Sequence, residues 1–175
     1  MSTPQTPDIP FVIESHEGEY RDSGIVSTVA IAGHPIHPVL VTMPIGLLVT
    51  ALASDIGYWL TRDPFWARAS IWLIGAGVVT ATAAAITGMM DFTRIDRVRK
   101  RTAGWAHMII NIAILTLSIV NWAIRWNNPA GPILSFGLIL SLVVGGLLGI
   151  SGWYGGELVY RHKVSVIGRS DRHEP

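Results

Sequence analysis

Three stretches of the chain, residues 69–90, 102–124 and 126–156, contain no charged side chain, and a fourth, residues 39–60, contains only Asp55. An apolar run of about 20 residues, rising 1.5 Å per residue as a helix, matches the hydrocarbon thickness of a bilayer. In lipid every backbone polar group must be satisfied within the segment, so such runs form helices. The pattern therefore predicts an all-α integral membrane four-helix bundle in contact with the lipid bilayer. Charged residues make up 14% of the chain, against roughly 25% for a soluble domain. Those that exist fall between or outside the runs, which excludes a soluble enzyme and a nucleic-acid-binding domain.

The division that follows is a polar, flexible N-terminal arm over residues 1–32, a membrane domain over residues 33–167 and a polar tail over residues 168–175. His16 and His173 fall in those ends and have no specific role to fill. No cleavable leader is expected, because prolines and acids fill the first 22 residues. Four spans put both termini and the loop at residues 91–101 on one side, with the turns at residues 61–68 and 125–132 on the other. Arg21, Arg94, Arg97, Arg99, Lys100, Arg101, Arg161, Lys163, Arg169 and Arg172 lie on the first side, and Arg62, Arg68 and Arg125 on the second. The positive-inside rule then puts both termini in the cytoplasm. Trp59, Trp66, Trp105, Trp122, Trp126 and Trp153 fall near span ends, as interfacial anchors do. Gly77, Ala81 and Ala85, Thr80, Ala84 and Gly88, and Gly145 and Gly149 form four-residue repeats of small side chains that favour close helix packing.

An internal duplication is also visible. Ile86-Thr87-Gly88 closes the second span as Ile150-Ser151-Gly152 closes the fourth, and the first span of each pair begins with a histidine, His37 or His107. Two similar hairpins related by a pseudo-twofold axis along the membrane normal would bring equivalent residues face to face.

Chemistry-bearing residues gather at the expected cytoplasmic end: His34, His37, His107, His162, Asp91 and Glu157. Pro35 and Pro38 fix the entry to the first span, and Pro44 frees a carbonyl near Leu40 and kinks the helix. Ionisable groups at membrane depth call for a partner or a task. The chain has no cysteine, so iron–sulfur clusters and thioether haem attachment are excluded. Several readings of the remaining donors stand side by side. His37 and His107, with His34 and His162 as alternates, are candidate axial ligands of one haem b, its propionates meeting Arg94, Arg97, Arg101 or Arg161. That reading calls for a redox protein partner. Alternatively His37, His107, Asp91 and Glu157 are nitrogen and oxygen ligands for zinc, iron or manganese, with hydrolysis as the chemistry. A structural subunit without catalysis, packing in a homo-oligomer or a larger complex, and a transport path past Asp55 and Pro44 complete the set.

The entry Gly33-His34-Pro35-Ile36-His37-Pro38, the Pro44-Ile45-Gly46 step, Gly88 to Asp91, His107 and the closing Ser151-Gly152-Trp153-Tyr154-Gly155-Gly156-Glu157-Leu158-Val159-Tyr160-Arg161-His162 together resemble a bacterial family. It is the predicted-membrane-protein family known as domain of unknown function 2231. The resemblance runs over residues 33–167 and implies a four-helix protein of the bacterial inner membrane. Relatives often place glycine after the final histidine, where this chain has Lys163 and then Ser165. Fusions of relatives to Rieske or c-type cytochrome modules imply a redox setting, favouring haem over hydrolysis.

Overall fold

A computed structural model describes residues 24–166. The elements are β1 (Ala30–Ile31), β2 (His34–Pro35), α1 (Ile36–Leu40), α2 (Thr42–Thr61), α3 (Pro64–Arg94), α4 (Asp96–Arg99), α5 (Thr102–Arg125) and α6 (Leu138–Gly156). A π-helical turn, Ile133–Gly137, leads into α6, and another, Glu157–Arg161, follows it. The ends at residues 1–23 and 167–175, including His16 and His173, lie outside the described residues.

Local chemistry sets the boundaries. The Asp63 side chain accepts from the Phe65 amide at 2.9 Å and Pro64 stands first in α3, a strong helix start. Arg62 closes α2 in the left-handed conformation at φ 59°. Pro44 cannot donate to Leu40, and the first span is interrupted there, between α1 and α2. The entry departs slightly from expectation: helix begins at Ile36, and Pro35 lies in a short antiparallel β1–β2 hairpin. Ala32 and Gly33 both have positive φ, as a tight two-residue hairpin turn requires.

Four helical segments are long and apolar enough to cross a membrane: Ile36–Thr61, Pro64–Arg94, Thr102–Arg125 and Ile133–Arg161. Helix α2 packs on α3, α3 on α5, α5 on α6 and α6 back on α2, so α2 and α5 lie across the bundle diagonal. Trp72, Val79, Ile112, Phe136 and Ile139 are among the exposed apolar side chains, an outer surface suited to lipid. Gly149 points outward with nothing near its Cβ position, so its expected packing role is not met, whereas Gly77 lies against Leu48 and Gly145 against Leu52.

Inward-facing residues follow spacings of four and three. On α5 they are His107, Asn111, Ile114, Ser118, Asn121 and Arg125, and along the first span His37 on α1, Val41 at the break, and Pro44, Leu48, Ala51 and Asp55 on α2. This is the seam of a left-handed bundle. Leu48, Ile114 and Val144 form its apolar middle. A second apolar cluster of Phe92, Ile95, Val98, Ala103, Leu158 and Val164, with Ile25 packed against it, closes one end. Residues 24–32, placed by sequence in the flexible arm, are held against that end through the Ile25–Val164 bridge.

Candidate functional site

Two polar layers interrupt the apolar core, about 27 Å apart along α5 at 1.5 Å per residue. The first contains His37 and His107, which face each other across the diagonal with ring centres 6.4 Å apart and planes at 90°. Each imidazole is fixed by the other helix of its own hairpin. His37 Nδ1 lies 2.9 Å from the Ala84 carbonyl on α3, and His107 Nδ1 lies 3.0 Å from the Ser151 carbonyl on α6. A carbonyl can only accept, so both Nδ1 atoms carry the proton and each Nε2 presents its lone pair. Neither Nε2 has a hydrogen-bond partner among the described residues. Asn111 donates to the His107 carbonyl at 2.7 Å and to Ser151 Oγ at 2.6 Å, holding Ser151 beside its imidazole.

Glycine makes room for both rings. A Cβ on Gly88 would stand 2.6 Å from His37 Cε1, and one on Gly155 would stand 3.1 Å from His107 Cε1. In both hairpins the acceptor carbonyl precedes the glycine by four residues, Ala84 and Gly88 in one and Ser151 and Gly155 in the other. These contacts correct the register read from sequence, which paired Gly88 with Gly152. The counterpart is Gly155, three residues on, because the glycine under the imidazole is the one that does the same job.

The other expected residues are engaged elsewhere. His34 is exposed and its Nδ1 meets the Ala32 carbonyl. His162 is buried, 3.9 Å from Glu157, and its carbonyl accepts from Arg97. Asp91 is buried with its carboxylate committed: Ser27 Oγ donates to it at 2.7 Å, as do the Thr28 amide and Thr28 Oγ1. Arg94 ends α3, Arg101 immediately precedes α5 and Arg161 ends the last π-helical turn, all at the histidine end. Among the described residues no group of three or more histidine or carboxylate side chains could hold a metal ion. The set of His37, His107, Asp91 and Glu157 is therefore not assembled. A bare zinc ion takes three or four protein ligands, and the pair supplies two. A haem brings four nitrogens of its own and asks the protein for axial ligands alone.

The second layer escaped the sequence reading, which left Arg125 in a turn. Arg125 and Asp55 are both fully buried and form a two-pronged pair, Nη1 to Oδ1 at 2.6 Å and Nη2 to Oδ2 at 2.8 Å. Ser70 and Ser141 each donate to Asp55 at 2.6 Å, and Arg125 Nε donates to Asn121 at 2.9 Å. Every helix of the bundle contributes to this layer. The signal was present: Asp55 and Arg125 are separated by the same 70 positions as His37 and His107. Between the layers, Ser118 Oγ is the one buried side-chain polar atom among the described residues without a hydrogen-bond partner.

Comparison with known proteins gives one match: the family model described as predicted membrane protein (DUF2231) matches residues 33–168. No curated protein and no solved structure matches the chain.

Proposed function

The chain belongs to this family of predicted membrane proteins, and from that premise we propose that it is a b-type haem-binding, electron-transfer subunit of the bacterial inner membrane. His37 and His107 would hold the haem iron. The observation that carries this reading is the pair of half-buried imidazoles 6.4 Å apart, each with Nδ1 donating to a main-chain carbonyl and with no hydrogen bond at Nε2 among the described residues. A carbonyl behind the ring is the usual outer support of a ligating histidine, since it fixes the tautomer and raises the basicity of the opposite nitrogen. A haem bound there supplies a one-electron carrier. The protein's part is to hold the two imidazoles and to offer Arg94, Arg101 and Arg161 to propionates.

The excess of lysine and arginine on the histidine side supports a cytoplasmic location for that face and for both termini. It grows stronger once Arg125 is removed from the opposite loops and placed in the core. The pseudo-twofold relation of the hairpins accounts for both diagonal pairs at once. An electron donor or acceptor, as a protein partner, meets the site at the same face.

The test is a reduced-minus-oxidised absorption spectrum of the purified protein from haem-replete cells, with metal content measured on the same sample. The expected result is one haem per chain with sharp visible bands, lost in His37→Ala and His107→Ala while both variants still fold. A featureless spectrum, together with failure to bind added haem, would overturn the assignment.

A further inference from the structure

The histidine layer lies beneath a strap. From Ile25 the chain runs across the end of the bundle and enters α1 at Ile36, one residue before His37. It is fastened on both sides. On the second hairpin the Ile25 amide donates to the Lys163 carbonyl at 2.9 Å and the Ser165 amide donates to the Ile25 carbonyl at 2.8 Å. On the first hairpin the Asp91 carboxylate receives Ser27 Oγ, the Thr28 amide and Thr28 Oγ1. The anchors occupy matching heights. Asp91 is three residues beyond Gly88, which presses His37, and Leu158, whose carbonyl receives the Val164 amide at 3.0 Å, is three residues beyond Gly155, which presses His107. The strap thus crosses the bundle axis about one helical turn, some 5 Å, outside the two imidazoles.

Two further features set this strap apart from ordinary packing. Ala32, Lys163 and Ser165 all have positive φ, a conformation that disfavours side-chain-bearing residues and is concentrated here in the strap and its anchor. Ser27 is buried while Val26 and Thr28 beside it are exposed, so on the first hairpin the attachment depends on a few directed hydrogen bonds to one carboxylate.

We propose that residues 25–35 are a latched cover over the His37–His107 pair, with Asp91 as the latch, and that release of the latch opens the pair to molecules arriving from the polar side. The cover rests on the reading of that pair as the functional site, but its test reads imidazole access and not haem.

Diethyl pyrocarbonate, which acylates unprotonated imidazole nitrogen, is applied to the full-length protein in lipid nanodiscs, prepared free of haem so that iron does not itself block the imidazoles, and the rate at each histidine is followed by mass spectrometry. Exposed His34 is the internal reference, and haem content is read on the same sample. In the wild type His37 and His107 should react at least about tenfold more slowly than His34. Asp91→Asn should speed both by about tenfold, the scale expected when one hydrogen bond to a charged group is lost from a local opening step. Ser27→Ala combined with Thr28→Val, which leaves the helices untouched, should do the same. Wild-type rates equal to that of His34, or no acceleration in the double strap variant, would overturn the proposal. Should Asp91→Asn fail to fold, the strap variant alone decides. Slow labelling that is relieved by the strap variant in this haem-free sample supports the cover, and the haem assignment stands or falls separately.

Discussion

The two polar layers are built on the same two spans, the first and the third, and differ in what they leave unused. At the Asp55–Arg125 end both carboxylate oxygens take an arginine nitrogen and a serine hydroxyl, and the guanidinium fork is spread over aspartate, asparagine and serine. At the His37–His107 end each imidazole spends one nitrogen on a carbonyl and keeps the other. A closed network stabilises one arrangement of helices and has no capacity for a ligand. An open one keeps bonding capacity for a ligand, and partly buried groups with unused capacity mark candidate functional sites. The lesson is that burial of charge is not by itself a sign of chemistry: the more deeply buried layer is the structural one.

The largest break in this comparison comes from halving the closed layer. Asp55→Asn or Arg125→Leu leaves one charge unpaired in the core and should cost about 3–5 kcal/mol, seen as loss of the monodisperse folded protein and a collapse of the thermal transition in detergent. The double variant Asp55→Leu, Arg125→Leu should recover a good part of that loss. If the single variants were as stable as wild type, the structural role of this layer would be gone. A smaller effect, and one that separates the layers, is expected from Gly88→Ala. Its methyl would meet His37 at 2.6 Å, so stability should fall by about 1–3 kcal/mol as in other overpacked cores, with haem affinity lost in proportion. Gly149→Ala, with open space around its Cβ, should leave both unchanged. The smallest effect has the opposite sign. Ala32→Gly removes a side chain from a left-handed position, at φ 49°, and should raise stability by up to about 1 kcal/mol; a lower melting temperature would contradict the strained-strap account.

The spans were legible because the absence of charge over about 20 residues has one physical solution in lipid. The histidines were legible because imidazole at membrane depth is rare. Gly88 was visible but assigned to helix packing, and Gly155 only to the closing motif of the fourth span, since nothing in a small side chain says that a ring is its neighbour. Asp91 was read as a ligand; its partners Ser27 and Thr28 are 64 and 63 positions away, and hydroxyls in a polar arm carry no signature of where they will dock. Arg125 was misplaced by a charge rule that treats every arginine at a span boundary as outside. At the position after the final histidine, where glycine was expected to be needed for a tight turn, Lys163 and Ser165 both take left-handed conformations.

The ion pair also carries a consequence for biosynthesis. Asp55 leaves the ribosome 70 positions before Arg125, so the first hairpin enters the membrane with an acid that has no counter-ion. An aspartate at the centre of a single helix costs about 2.5–3.5 kcal/mol on insertion, and until the third span arrives it must stay near the interface, be protonated or be sheltered by the insertion machinery. Each half carries a charge the other neutralises. Separately expressed hairpins should therefore be degraded, while co-expressed ones find each other in the bilayer.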